Sequence, residues 1–219
     1  MGGRYAVMWS GGKDCALALT RVRAQGLAVD RLLTFFDPAS GRLRFHETPV
    51  KLVEAQASAI GVDVQLEAAA WSEFGGRLRA VLAGLSGEGF TGVVFGDVHL
   101  ADVRAWYEVI VGEAGLEHVE PIWRQPPEKL LREYVAGGGR AVVTCVDLNH
   151  LDESWLGRIT DPTFVQDILV AGVDPVGENG EYHTFAFAGP PLTAALDYRT
   201  GVRRTMDGRF AQLLLEATA

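Results

Sequence analysis

Six consecutive residues near the start of the chain, Ser10, Gly11, Gly12, Lys13, Asp14 and Cys15, bring together a hydroxyl, two glycines, a cation, a carboxylate and a thiol. An apolar run (residues 4–9) precedes them. A helical pattern follows, with Ala16, Leu17, Leu19, Thr20 and Val22 crowding one side. A strand, a glycine turn and a helix in that order leave N–H groups unpaired at the positive end of the helix, where an anion fits. Gly11 and Gly12 let a phosphate approach the main chain, Lys13 adds a mobile cation and Ser10 a donor. Two other nucleotide loops do not match. Walker A needs glycine where Val7 stands and Ser or Thr where Asp14 stands, and the GxGxxG dinucleotide fingerprint is absent.

The elements around this turn alternate. Strands are predicted at residues 4–9, 29–36, 42–46, 62–69 and 92–98, and helices at 13–25, 72–82 and 101–114. A further helix over 49–60 is expected to open with Thr48 as its cap and Pro49 in its first position. Strand–helix repeats of this length give a parallel sheet with helices on both faces. The second half reads differently. It holds a short strand at 118–123, a helix at 126–136, a buried strand at 141–146, then an irregular polar stretch from Asn149 and strands joined by turns in the tail. A soft boundary falls near residue 115, dividing 1–115 from 116–219. The apolar tail stretch "FAQLLLEA" can mark a homodimer face or the last core element.

With 219 residues, 48% of them hydrophobic, the chain can bury a sizeable core. A net charge of −8 has the wrong sign for binding a nucleic-acid duplex. The two cysteines, Cys15 and Cys145, form no CxxC or zinc spacing, so a cytoplasmic setting is the default. No stretch approaches the roughly 18–20 apolar residues of a membrane span.

"SGGKDC" resembles the SGGxDS loop of the PP-loop ATP-pyrophosphatase superfamily, whose members cleave ATP between the α and β phosphates. The last position there is usually serine. Here it is Cys15, a poorer donor, which opens a second reading as a reactive thiol at a helix N-terminus. Together with "FHETP" (45–49), "GDVHLADVRAWYE" (96–108), "EPIW" (120–123), "LDESWLGR" (151–158) and "GENGEYHTF" (177–185), the loop resembles the diphthine–ammonia ligase family in content and order, as far as about Leu192.

The resemblance implies an α/β, Rossmann-like PP-loop domain over 1–115 and a smaller C-terminal α+β substrate domain over 116–219. It implies an ATP- and Mg²⁺-dependent amide ligase. A carboxylate, diphthine on elongation factor 2, is adenylated with release of pyrophosphate, and ammonia displaces AMP. Ser10, Gly11, Gly12 and Lys13 would then cradle phosphates beside Cys15. Asp14 can orient Lys13 or bind the metal. Phe36, His46, Gly96 and Asp97, near the ends of parallel strands, would face the nucleotide.

The remaining motif residues would serve the acceptor. Arg104 and Glu108, four apart on one helix face, can point into the site or pair with each other. Asp174, Glu178 and Glu181, interleaved with Gly177 and Gly180, can deprotonate ammonium or hold a cationic substrate, or form a polar turn. Trp155, beside Glu153, can offer its face to a quaternary ammonium or simply pack.

Three rivals stand beside this reading. The Ala-, Gly-, Leu- and Arg-rich composition suits GC-rich, often bacterial, genomes, and bacteria make no diphthamide, so the acceptor there would be a small molecule. RNA thiolation or lysidine chemistry would bring added cysteines or basic modules, which are absent. A non-catalytic ATP-binding regulatory protein would not need Lys13, Asp14 or the distant acidic cluster.

Overall fold

The computed structural model describes residues 3–218. Its first half rests on β1 (Arg4–Met8), β2 (Ala28–Phe36), β3 (Asp63–Ala68), β4 (Gly92–Val94) and β5 (Glu117–Val119). These strands pair in parallel, in the spatial order β3-β2-β1-β4-β5. Side chains alternate along a strand. Val7, Leu32 and Val94 therefore enter one apolar layer, and Ala6, Leu33 and Val93 the other. On the first side pack α1 (Lys13–Ala24) and α2 (Val50–Ile60). On the second pack α3 (Phe74–Gly87) and α4 (Ala101–Glu113). Apolar burial on both faces is what a parallel sheet requires.

From β1 the chain winds outward to β3, then returns to β4 on the other side of β1 and continues to β5. The winding reverses between β1 and β4, and such reversals open a crevice beyond the carboxyl ends of the strands. The turn after β1 carries Ser10, Gly11 and Gly12 and leads into Lys13–Cys15 at the start of α1, and the turn after β4 carries Gly96 and Asp97, so both lie at this crevice.

The second half contains α5 (Pro127–Ala136), β6 (Arg140–Asp147), α6 (Pro162–Ala171), β7 (Tyr182–Ala188), β8 (Tyr198–Met206) and β9 (Phe210–Ala217). Its strands form an antiparallel sheet in the order β7-β6-β9-β8. The α/β class with a smaller α+β sheet is thus the observed fold. A single apolar cluster runs from Leu19 on α1 and Leu52 on α2, which pack on the first sheet, to Phe164 on α6 and Phe185 on β7 of the second. Truncating one such leucine to alanine costs about 2–5 kcal/mol, so the cluster holds the two sheets in fixed relation. No helix among the described residues is long and apolar enough to cross a membrane.

Four local expectations are corrected. Residues 42–46 form no strand. Arg42 donates to the carbonyls of Glu47 (2.7 Å) and Leu215 (3.2 Å), and Phe45 and Glu47 take left-handed φ values of 65° and 54°, which fold the segment back on itself. Thr48 does not cap α2. Pro49 is the cap residue, and the buried Thr48 hydroxyl lies 3.5 Å from the His46 carbonyl. The strand at 118–123 stops at Val119, because Pro121 begins a turn that ends with Arg124 at φ 54°. The irregular stretch after Asn149 contains α6, capped by Asp161, whose carboxylate accepts from Phe164 N–H at 2.7 Å. The "FAQLLLEA" tail is β9, an inner strand whose Ala211, Gln212, Leu213 and Leu215 are buried.

Candidate active site

Helix α1 starts directly after the glycine turn. Its cap residue, Gly12, gives no side-chain cap, so the first turn is not closed off by its own sequence. The Lys13 N–H donates instead to Thr184 Oγ1 on β7 at 3.2 Å. Gly11 has φ 79°, and a Cβ there would stand 3.0 Å from Gln56 Oε1. A Cβ on Gly12 would meet His46 Cε1 at 2.8 Å. Both glycines are therefore required by shape as well as by any ligand.

A cavity of about 440 Å³ opens over this turn, lined from both sheets. Its floor includes Ser10, Lys13, Asp14 and Cys15, and its walls include Phe36, His46, Gly96, Asp97, Gly177 and Glu178. Lys13 is not the mobile cation expected from the sequence. It is 3% exposed, its ammonium bonds the Val176 carbonyl and Asp14 Oδ2 (2.9 Å), and it lies 4.6 Å from the centre of the Tyr182 ring. Burial works to strip its proton, but the Asp14 carboxylate and Tyr182 hold its pKa above the ordinary lysine value.

Two further carboxylates face the cavity. Glu178 Oε1 accepts from the N–H groups of Val98 (2.7 Å) and His99 (3.3 Å), and so reaches from the second half of the chain onto the loop after β4. Burial pushes its pKa up to about 7 against those two donors, and Asp14 and Asp97 add to the rise. Burial, then Asp14, pushes Asp97 up to about 6. His46 Nδ1 lies 2.9 Å from the Thr184 carbonyl, so Nδ1 carries the proton and Nε2 is the free acceptor. Burial lowers His46 to about 4 and keeps the ring neutral. Cys15 is 4% exposed, with Sγ 3.1 Å from the Gly12 carbonyl, and burial pushes it up to about 11. That is the opposite of a thiol activated at a helix N-terminus.

Oxygen donors crowded at raised pKa suit a hard cation. Among the described residues no group of three or more His, Cys, Asp or Glu side chains is arranged to hold a metal. Magnesium is commonly held by one or two carboxylates together with substrate phosphates and water, and Asp14 and Asp97 on the cavity surface fit that description.

Comparison with known families gives two matches in chain order. The diphthamide synthase N-terminal domain matches residues 3–118, and the diphthamide synthase C-terminal domain matches residues 126–210. The chain belongs to the diphthamide synthase family. Membership makes it a ligase of the ATP-using PP-loop type. Comparison with curated individual proteins finds no match.

Not every motif residue that resembles this family reaches the cavity. Glu181 is 4% exposed and turned inward, where it accepts from the Asn179 N–H (3.1 Å), Asn179 Nδ2 (3.0 Å) and the Asp174 N–H (3.3 Å). It shapes the loop that presents Glu178, and Gly180, at φ 91°, turns the chain between them. Asp174 pairs with His99 Nε2 at 2.7 Å. Arg104 and Glu108 pair with each other at 2.6 Å, and Arg104 also reaches Glu120 at 2.9 Å. Glu153 and Trp155 lie in a short 3₁₀ turn away from the cavity. The Trp155 ring meets Phe164 edge-on at 5.5 Å, and its face lies 4.4 Å from the Arg158 guanidinium.

Several residues that shape the cavity of this diphthamide synthase family member were not singled out in the sequence. Gln56, on α2, donates to the carbonyls of Gly11 (3.0 Å) and Ala186 (2.7 Å) and accepts from Trp9 Nε1 (2.8 Å). Its only signal was a polar residue on the buried face of a helix. Thr184 sat inside the "EYHTF" stretch without a role of its own. Trp71 and Phe74, which line the cavity, fall just before and just inside the helix predicted at 72–82 and carry no motif of their own.

Proposed function

We propose that the chain is an ATP-dependent amide ligase. An oxygen of the acceptor carboxylate attacks the α-phosphorus of ATP and pyrophosphate leaves. The nitrogen of ammonia then attacks the carbonyl carbon of the acyl-adenylate and AMP leaves, forming an amide. Carboxylate and ammonia do not combine at neutral pH without such a leaving group. The first half of the chain supplies the glycine turn that holds the nucleotide, and the second half supplies Glu178 for transfer to the acceptor. The acceptor favoured by family membership is diphthine on elongation factor 2.

The observation that carries this reading is that Glu178, bonded to the Val98 N–H on the loop after β4, and Asp97 both line the cavity that contains the glycine turn. The turn and the open first turn of α1 offer N–H groups to phosphate oxygens. Ser10 adds a hydroxyl, Gly11 and Gly12 add close main-chain approach, and the held Lys13 fixes positive charge beneath them. A magnesium ion at Asp14 and Asp97 would neutralise phosphate charge. Phe36 and His46 close the nucleotide side. Glu178, with a pKa near neutrality, takes the proton that ammonium must lose before it can attack.

The test supplies wild-type protein with ATP, Mg²⁺, ammonium and diphthine-bearing elongation factor 2, and reads AMP and pyrophosphate. Lys13→Ala is expected to lower turnover at least about a hundredfold. A screen of free carboxylates in the same assay distinguishes a small-molecule acceptor. Absence of AMP formation with every acceptor would leave a nucleotide-binding module.

A further inference from the structure

A row of aromatic rings leads out of the cavity and takes part in no step above. Arg44, Phe45, Trp71 and Phe74 line the cavity. Phe45 meets Trp71 edge-on at 6.3 Å, Trp71 stacks on Phe74 at 5.7 Å, and Phe74 stacks on Trp106 at 5.9 Å. Trp106 lies beyond the cavity wall, so the row continues onto the outer surface. Phe45 and Trp106 are each 39% exposed and Trp71 is 60% exposed. Among the described residues these are the only exposed Phe, Trp or Tyr side chains, and all three stand in this one row. Apolar surface gathered at one place in this way marks a binding surface, and aromatic side chains and arginine dominate such contacts.

Arg44 supplies the charge. Its guanidinium lies 4.6 Å from the Trp71 ring centre and 5.2 Å from that of Phe45. It forms no ion pair among the described residues. Lys13, by contrast, is committed to Asp14 and the Val176 carbonyl. Arg44 is thus the cation at the cavity mouth that remains free to meet an incoming carboxylate. Held beside the rings, its planar fork suits a carboxylate. A small ligand would be engulfed by the cavity itself. A row that runs past the cavity edge contacts something that stays outside while its reacting group goes in.

We propose that this rim seats a polypeptide carrying the acceptor, with its backbone along Phe45, Trp71 and Trp106 and its carboxylate passing Arg44 on the way to the glycine turn. This rests on the ligase reading above and adds the surface that selects the acceptor.

The experiment measures binding of diphthine-bearing elongation factor 2 to wild-type protein, Arg44→Ala, Trp71→Ala and Trp71→Phe. ATP affinity is measured separately by calorimetry, and mass by sedimentation. Arg44→Ala and Trp71→Ala are expected to weaken binding of the factor and raise its KM by at least about tenfold, with kcat at saturation and ATP affinity held within about twofold. Trp71→Phe is expected to restore most of the loss. Unchanged binding of the factor by the alanine variants overturns the proposal, as does failure of the wild type to bind it. A matching loss of ATP affinity would assign the rim to the nucleotide base, and a wild-type dimer dissolved by Trp71→Ala would assign it to self-association. Wild-type protein that binds the factor through the rim but forms no AMP would leave the rim standing and remove the ligase reading.

Discussion

The carboxamide nitrogen of Gln56 stands 3.0 Å from the carbonyl oxygen of Gly11, which ties helix α2 to the glycine turn. The same nitrogen donates to the Ala186 carbonyl at 2.7 Å, and the Ala186 N–H donates to the Gly11 carbonyl at 2.8 Å. One fully buried side chain thus joins the first sheet, the turn and the second sheet. Gln56→Leu removes the acceptor of Trp9 Nε1–H and a donor to the Ala186 carbonyl, and buried groups left unpaired cost about 1–3 kcal/mol each. A loss of about 3 kcal/mol in urea denaturation is the expected outcome, with ATP affinity falling at least about tenfold because the turn loses its backing.

Much of the first sheet was legible because its signals are local. Strand–turn–helix punctuation, an apolar period of two or of about 3.6, and Gly61 closing α2 in a left-handed conformation all speak within a few residues. Residues 42–46 depart from the expected strand because the shape of this segment is set from a distance, by Arg42 reaching the Leu215 carbonyl on β9 and Glu47 pairing with Arg204 on β8 at 2.7 Å. Helix α6 is a different case. Its cap, proline and terminal glycine, Asp161, Pro162 and Gly172, were all present, but the polar residues around them hid the short apolar face. At the site, the glycine turn and Glu178 could be picked out as motifs. That Glu178 faces the cavity while Glu181, three residues on, faces inward depends on the tight turn at Gly177 and Gly180, which spacing alone does not fix.

The raised pKa of Glu178 ties stability to pH. Burial, reinforced by Asp14 and Asp97, lifts its carboxyl from 4.5 to about 7. The folded chain therefore holds a proton that the unfolded chain has lost, so its contribution is complete below about pH 4.5 and disappears as pH rises through about 7. Glu178→Gln keeps an oxygen for the Val98 and His99 N–H groups but carries no charge. Its Tm is expected to exceed that of the wild type at pH 8, with the gap closing at pH 5, as scanning calorimetry in the absence of nucleotide would show. A Tm difference that stays constant between the two pH values would rule out the ionisation as its cause.

Cys15 behaves as a packed side chain. Its Sγ lies 3.1 Å from the Gly12 carbonyl and 3.5 Å from Ser10 Oγ, within the turn. Burial pushes Cys15 up to about 11 and Cys145 up to about 12, so neither presents a thiolate near neutral pH. Titration of the native protein with a thiol reagent is expected to find no fast-reacting group, with both cysteines appearing on unfolding. Cys15→Ser places the serine usual in PP-loop enzymes at the same spot, and turnover is expected to stay within about threefold because a hydroxyl can make the same contacts.

Gly96 fixes the distance between the two turns of the crevice. A Cβ there would lie 2.8 Å from the Cys15 nitrogen, 3.0 Å from the Asp14 carbonyl carbon and 3.0 Å from the Cys15 Cα. All three are main-chain atoms in the first turn of α1, so no side chain can swing away to make room. Gly96→Ala must instead move α1 away from the end of β4, and with it the N–H groups that face the cavity. Overpacking of this kind costs about 1–3 kcal/mol, and ATP affinity measured by calorimetry is expected to fall at least about tenfold. Gly84→Ala is the matched control, because a Cβ at that exposed position in α3 meets nothing within 4 Å. Alanine is favoured over glycine by about 1 kcal/mol in a helix interior, so this variant is expected to be slightly more stable with unchanged ATP affinity. Equal loss of affinity in both variants would show that the effect is a general response to substitution and not the close approach of β4 to α1.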